Sequence, residues 1–442
     1  MSSRRSTTPL SPIAFNESYA ENWAHHMVED PSCPEWFLHH KHMFVYTLAG
    51  KPAFSRYGND IELAPFMATL LAITSVVNDN NDELKYVRSN EHLYVFLNKG
   101  PLQFCCVSNT KEQPEIIIKQ LQFLFCTICS IIPFPSIQSI FDKSYGTDFR
   151  NVIGGTYNQM KCAISHGNMS SGLLFNAFDI KQFPTTIRNY LTENIQTIVS
   201  QTNIELFKAN NDCILFSALI LNSKIVVLGK RSANLTPMDS QVLISFVRSI
   251  SSRKTISWMP LCLNDFNEKA QIHVFVKYIT TSFSIVLVAT QPTSMNYLTK
   301  CYKTFKHTIK QSKFWNQIEA PTPTVCPYII KNEILHFVVY SKNDNQVFMS
   351  PFIIHTTRKE QKRLFRIYEN LYIGLTKEKL KQEMFVFDDE IIVTVENNTH
   401  YAFITFSKFQ ENKVKMMKTA TAVLSWAIKE DSLWIKKFAQ FS

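Results

Sequence analysis

One order of elements recurs three times along this chain: strand, strand, helix, three strands, helix. A periodicity that switches from two to 3.6 and back in the same places limits the fold more than any residue count can. In the first copy, "HMFVYTLAGKPAFSRYGND" (His42 to Asp60) reads as a hairpin, with Gly50 relieving the turn and Pro52 fixing φ where the second strand begins. Ile61 to Val77 follows with Phe66, Met67, Leu70, Leu71, Thr74 and Val77 at helical spacing, Pro65 being tolerable only in the first turn. Glu83 to Ser89, His92 to Asn98 and Leu102 to Ser108 read as strands, with Gly100-Pro101 turning between the last two, and a second helix runs from about Pro114 to Ile131.

The second copy opens with "DCILFSALIL" and "KIVVLGKRS" around Asn222-Ser223. Its helix "TPMDSQVLISFVRSI" has Thr236 as N-cap and Pro237 at the first helical position. "ISWMPLCL", "AQIHVFVKY" and "FSIVLVAT" are its strands, and "SMNYLTKCYKTFKHTIKQ" is its closing helix. The third copy runs from "ILHFVVYS" and "QVFMSPFII" through the helix "RKEQKRLFRIYENLYIGL" and three more strands to "KVKMMKTATAVLSWAIKE". The expected fold is therefore a mixed α/β chain of the α+β kind, with three tandem units, each a five-stranded antiparallel sheet packed with helices. The divisions that follow are a tail over 1–35, units over 36–135, 211–318 and 331–442, a largely helical connector over 136–210, and an extended Pro-rich linker over 319–330.

Composition narrows the chemistry. With 10 Gly in 442 residues there is little material for Gly-rich phosphate loops, and no His-Glu-x-x-His or Gly-x-Ser-x-Gly element occurs. His39, His40 and His42 in "HHKH" have only Cys33 nearby as a further ligand, so they read as a polar lead-in to the first strand, and no metal or other cofactor is expected. Cys126-Thr127-Ile128-Cys129 has the C-x-x-C form inside a helix dense in Phe and Ile, a core setting and not a redox one. The ten Cys lie mostly in apolar runs, Leu121 to Phe134 is too interrupted to span a membrane, and the N-terminus lacks an apolar signal core; a soluble cytoplasmic protein with reduced thiols is expected. The net charge of +10 is uneven: 15 Lys+Arg against 17 Asp+Glu in 1–202, 14 against 6 in 203–330, 17 against 13 in 331–442. Nucleic-acid modules are missing, so the basic middle third points to another anionic surface. On the helix after the second sheet, Lys300, Lys303, Lys306, His307, Lys310 and Lys313 share one arc, opposite Tyr297, Leu298, Cys301, Tyr302, Phe305 and Ile309.

The unit order resembles the longin domain, and three in tandem resemble the tri-longin subunits of Rab exchange factors. "KHMFVYTLAGKPAFSRYG" (Lys41 to Gly58) is similar to the first-domain signature of the SAND/Mon family of vacuolar fusion proteins, and "SWMPLCLNDFN" (Ser257 to Asn267) to its Trp-x-Pro-x-Cys-Leu element. Asn264-Asp265 stand where the family pattern has Pro-Lys, and the polar N-terminal stretch is about forty residues where the family's is long. The resemblance implies a heterodimer with a Ccz-type longin subunit that releases GDP from the late-endosomal Rab GTPase without covalent chemistry, on endosome, late-endosome or vacuole membranes to which the chain is recruited peripherally. A longin-type scaffold or adaptor without exchange activity is the alternative. The candidate sites are Trp258, Pro260 and Leu261 for the GTPase, with Pro260 requiring a strand edge or bulge; Phe66, Leu70, Ile73 and Val77 for the partner subunit; and Lys300, Lys303, Lys306, Lys310 and Lys313 for an anionic phosphoinositide surface.

Overall fold

A computed structural model describes residues 29–435 except 79–81, 211, 230–234, 251–253, 320–325, 332, 353–355, 378–381 and 410–411. Most of the expected tail and half of the expected linker, 320–325, lie outside the described residues, and the end of that linker, Pro327–Ile330, is a short helix where extended chain was expected. Three sheets form, one per copy of the repeat.

In unit one, β1 (Lys41–Thr47), β2 (Pro52–Ser55), β3 (Tyr86–Ser89), β4 (His92–Lys99) and β5 (Leu102–Ser108) pair in the order β2-β1-β5-β4-β3, all antiparallel. Gly50 takes φ 72° and Gly100 φ 57° at the two turns, the left-handed region where glycine carries no Cβ penalty. Helix α1 (Ala64–Asn78) links β2 to β3 and starts three residues later than the spacing suggests, which puts Pro65 in its first turn. Helix α2 (Pro114–Ile131) follows β5. It is long and apolar enough to cross a membrane by length and composition, yet 72% of it is buried inside the fold. Cys126 and Cys129 sit in that buried stretch, and burial pushes the Cys126 thiol up to about 12.

The connector contributes helix α3 (Tyr157–Gly167), a two-residue strand β6 (Phe178–Asp179) and helix α4 (Thr185–Asn210). Unit two then repeats the pattern with β7 (Ile214–Leu221), β8 (Lys224–Leu228), helix α5 (Pro237–Ser249), β9 (Ser257–Leu261), β10 (Ile272–Tyr278), β11 (Phe283–Ala289) and helix α6 (Met295–Lys310), its sheet ordered β8-β7-β11-β10-β9. Asn222 and Ser223 both take positive φ, 50° and 64°, which matches the twist a two-residue hairpin needs. The Thr236 hydroxyl accepts the Asp239 N–H at 3.1 Å, capping α5.

Unit three holds β12 (His336–Ser341), β13 (Gln346–Met349), helix α7 (Arg358–Lys377), β14 (Gln382–Val386), β15 (Glu390–Glu396), β16 (His400–Ser407) and helix α8 (Lys413–Lys429). Its sheet departs from the expected five strands: β6 adds in parallel to β13, giving the six-stranded order β14-β15-β16-β12-β13-β6. Two residues of the connector thus complete a sheet belonging to the far end of the chain.

The units share a core. On one face of sheet one lies α2, which α3 and α5 cover from the other side, and residues of all three sheets join the same apolar cluster, among them Phe104, Leu124, Leu243, Val274 and Phe337. Sheet two is sandwiched, with α5 on this shared face and α4 and α6 on the other, where Leu191, Phe275 and Phe305 are buried. Each such side chain contributes roughly 1.5–3 kcal/mol by leaving water. The Cys262 N–H donates to the Ser130 carbonyl at 2.7 Å, tying the end of β9 to the end of α2.

Candidate functional site

Helix α1 carries no charged residue from Ala64 to Asn78. Its inner arc is Leu63, Met67, Leu70 and Thr74, all buried on the face of sheet one that α2 leaves open, against Phe44, Tyr46 and Phe96. Phe66 leans on the same cluster, its ring 5.2 Å from that of Phe44. The outer arc is Pro65, Ala68, Thr69, Ala72, Ile73 and Val76, with Ile73 46% and Val76 65% exposed. Of the residues expected to meet a partner, Ile73 faces outward and Val77 is half-buried, while Leu70, 2% exposed, belongs to the unit's own core. The helix is apolar on every side, so its sequence does not encode which arc faces the sheet. Ala68, Ala72 and Val76, which complete the open arc, escape sequence reasoning for that reason.

The chain leaves α1 at Asn78 and enters β3 at Tyr86. β3 is the terminal strand of its sheet, and all four of its residues are exposed, Tyr86 at 50%. Among the described residues, an uncharged helix face and an unpaired strand edge therefore follow one another in unit one. Such an edge is a template for a further strand.

β9 is the terminal strand of sheet two. Trp258 stands opposite Phe275, half-buried against the α4–α6 side, its ring 5.3 Å from that of His273. Pro260 is exposed and needs no ladder N–H at this edge. Leu261 is only 1% exposed and packs into the core shared with unit one, which corrects its expected place at a partner surface. The Trp-x-Pro-x-Cys-Leu element thus splits: its first half lines an edge, and its second half is the joint between units one and two. Asp239 of α5 accepts the Phe266 N–H at 2.9 Å, and Thr236 donates its hydroxyl to Asp265 at 2.9 Å, so the loop at Asn264-Asp265 is stitched to the start of α5. Burial, with the Asp265 carboxylate beside it, pushes the Asp239 carboxyl up to about 6.

The lysines of α6 line its outer face and mostly have partners, while Lys313, expected on the same helix, lies in the turn that follows it. Lys300 pairs with Glu205 at 2.9 Å, Lys306 donates to the Tyr302 hydroxyl at 3.1 Å, Lys310 lies over the Trp315 ring and Lys313 over that of Phe314; Lys303 is exposed. Near the start of β1, His39 meets Glu29 at 2.6 Å and stacks on Tyr57, His40 meets Asn109 at 3.0 Å, and burial takes the His42 imidazole down to about 3.

Residues 41–161 match the family model described as the first longin domain of FUZ, MON1 and HPS1, and residues 213–307 match that of the second. The first match takes in sheet one with α1, α2 and the start of α3; the second takes in sheet two with α5 and most of α6. The chain is 26% identical to the vacuolar fusion protein MON1 homolog of Arabidopsis thaliana over 387 residues, 79% of this chain and 61% of that protein. To Protein SAND of Takifugu rubripes it is 24% identical over 416 residues, 91% and 77% of the two chains. To the vacuolar fusion protein MON1 homolog A of Homo sapiens it is 24% identical over 354 residues, covering 78% of this chain and 52% of that one. The chain spans between about half and three quarters of the length of these relatives. Two of the three sheets are thus matched as longin domains of FUZ, MON1 and HPS1, and over most of its length the chain is similar to proteins named MON1 and SAND.

Proposed function

We propose that this chain works in vacuolar and late-endosomal membrane fusion as one subunit of a heterodimeric guanine nucleotide exchange factor, joined to a Ccz-type longin subunit and acting on the late-endosomal Rab GTPase. The observation that carries the reading is the uncharged outer arc of α1 beside the open edge of β3, where Ala68, Ala72, Ile73, Val76 and Tyr86 offer a second longin sheet both an apolar helix face and a strand to pair with. Relatives named for vacuolar fusion support the cellular role. Exchange on this reading involves no covalent step: the assembled surface binds the nucleotide-free GTPase better than the loaded one, and that difference is what accelerates release. Trp258 and Pro260, on the edge of sheet two, are the residues of this chain assigned to the GTPase. The chain is recruited peripherally from the cytoplasm to an anionic membrane surface, with the α6 lysines facing the lipid.

The decisive measurement is the release of a fluorescent GDP analogue from the Rab in the presence of this chain, the Ccz-type subunit, or both. The mixture should accelerate release at least about tenfold over either alone. A stable complex that binds the Rab without changing the release rate would make the chain a scaffold, and absence of a complex would end the heterodimer reading.

A further inference from the structure

Helix α4 packs on the outer face of sheet two beside α6, and its two flanks are filled differently. Toward the sheet and α6, Leu191, Ile195, Ile198 and Leu206 are buried, and Glu205 holds Lys300 at 2.9 Å. Along the other flank, Gln196, Val199, Asn203 and Phe207 fall at i, i+3, i+7 and i+11, one stripe of the helix. Between that stripe, the start of β7 and Gly229 just past β8 lies a groove of about 510 Å³, the size of a small-molecule site. It runs along α4 from Gln196 to Lys208, about 18 Å at 1.5 Å per residue.

The polar atoms of the lining divide into used and unused. Asn203 accepts the Ile214 N–H on its Oδ1 at 2.6 Å, and the Gly229 N–H donates to the Ser217 carbonyl at 2.8 Å, so the floor is hydrogen-bonded to itself. The side-chain nitrogen of Gln196 is buried and, among the described residues, has no hydrogen-bond partner. A donor in that state destabilises the fold until another molecule supplies an acceptor. The rim is apolar: Ile204 is 58% and Phe207 66% exposed, with Val199 half-buried below them. Charge stands at both ends and differs in sign. Lys208 is exposed at the end far from the amide, while Glu193, exposed three residues before Gln196, is its neighbour on the helix surface. A group that reaches the amide therefore meets a carboxylate beside it, which disfavours an acid or a phosphate there and admits a neutral head.

We infer that this groove binds a neutral membrane lipid with one compact apolar body and one hydroxyl, the chemistry of a sterol. The hydroxyl oxygen accepts from the Gln196 amide, and the body lies against Val199, Ile204 and Phe207, taking their exposed surface out of water. Ile204 and Phe207 open on the layer that α4 forms with α6, one helix away from Lys300 and Lys303. That the ligand comes from a bilayer rests on the membrane-facing role proposed for the α6 lysines; the site itself does not, and neither depends on exchange activity.

Dehydroergosterol, a fluorescent sterol, is titrated from cyclodextrin into the full chain with no vesicles present, and saturable binding is expected. Ser200→Trp, at an exposed position of the lining, should weaken it at least about tenfold by filling the groove, with the melting temperature unchanged. Gln196→Leu removes the amide and keeps the bulk. It should weaken sterol binding about fivefold, the loss of one hydrogen bond, and leave binding of cholestane, the same skeleton without the hydroxyl, unaltered. The free Gln196→Leu chain should melt at the same temperature or higher, because an unmet donor is gone. Lys303→Ala with Lys310→Ala should leave this titration unchanged and weaken co-sedimentation with anionic, sterol-free vesicles; if co-sedimentation persists, the membrane role of α6 fails while the site stands. Tighter binding of palmitic acid than of the sterol would overturn the neutral-lipid assignment. No binding to folded protein, or binding that both groove variants retain, would overturn the site.

Discussion

Helices α1 and α5 hold the same place in their units, each joining the second strand of a sheet to the third, and yet they end in opposite environments. Along α5 every residue from Asp239 to Val247 is buried, because α2 and α3 cover the side that its own sheet does not. Along α1 nothing among the described residues plays that part, and Ala68, Ala72, Ile73 and Val76 are exposed there. The repeat supplies equal helices, and the connector, by sending α3 toward unit two, seals one and leaves the other. That apolar face, open where its counterpart is covered twice over, is the surface we propose for the partner subunit.

Substitutions that place a charge on each helix separate the two environments most sharply. Ile244, 1% exposed on α5, sits in the shared core, and Ile244→Asp should cost about 4 kcal/mol or more and prevent recovery of soluble protein, since the carboxylate would have no partner there. A chain carrying it that melts normally would show that α5 is not sealed. On α1, Ile73→Asp with Val76→Asp should change the melting temperature little, because both side chains already reach water. Affinity for the Ccz-type subunit should fall at least about tenfold, the loss typical of removing a central apolar anchor. Equal affinity for wild type and variant, measured on folded protein, would move the partner to another face.

Trp258 tests an intermediate case, a side chain half inside. Fully buried tryptophans cost roughly 3–5 kcal/mol on truncation, and Trp258→Ala should cost about half of that, leaving a folded chain that still assembles. GDP release by the assembled pair should nevertheless drop by about an order of magnitude. Melting temperature and release rate taken on one preparation decide the matter: a normal rate would confine Trp258 to packing.

How far the sequence foretold this division depends on whether the deciding rule is local. Gly50, the Asn222-Ser223 turn, the Thr236 cap and the edge position of Pro260 follow from backbone geometry within a few residues, and all could be read from the chain. The phase of α1 could not, because an all-apolar helix satisfies its sheet in more than one rotation, and Leu70 falls inside where an outer place was expected. Leu261 is inside because β9 ends against α2, a contact between units that strand alternation does not contain. The same holds for β6, two residues whose only reason to be a strand is β13 of unit three. Repetition made the fold legible; the contacts between repeats are what it left open.

The smallest effect concerns the charge that α5 buries and α1 lacks altogether. Asp239 accepts N–H groups from the 264–267 loop, and burial with the neighbouring Asp265 pushes its carboxyl up to about 6, against an unfolded value near 3.8. Between those two values the folded chain holds a proton that the unfolded chain has lost. Stability from this group therefore falls as pH rises from about 4 through about 6 and levels off above, the reverse of the usual salt-bridged aspartate. One pKa unit corresponds to about 1.36 kcal/mol, so the fold should be roughly 1 kcal/mol less stable at pH 7 than at pH 5 on account of Asp239 alone. Asp239→Asn keeps an acceptor for the Phe266 N–H and cannot titrate, so urea unfolding of wild type and variant across that range should show slopes that differ by this amount. The double substitution on α1 should leave the wild-type slope intact, since its new carboxylates are exposed in folded and unfolded chain alike. If Asp239→Asn follows the wild-type pH profile, the carboxylate keeps its charge beside Asp265, and the start of α5 is more open to water than its burial indicates.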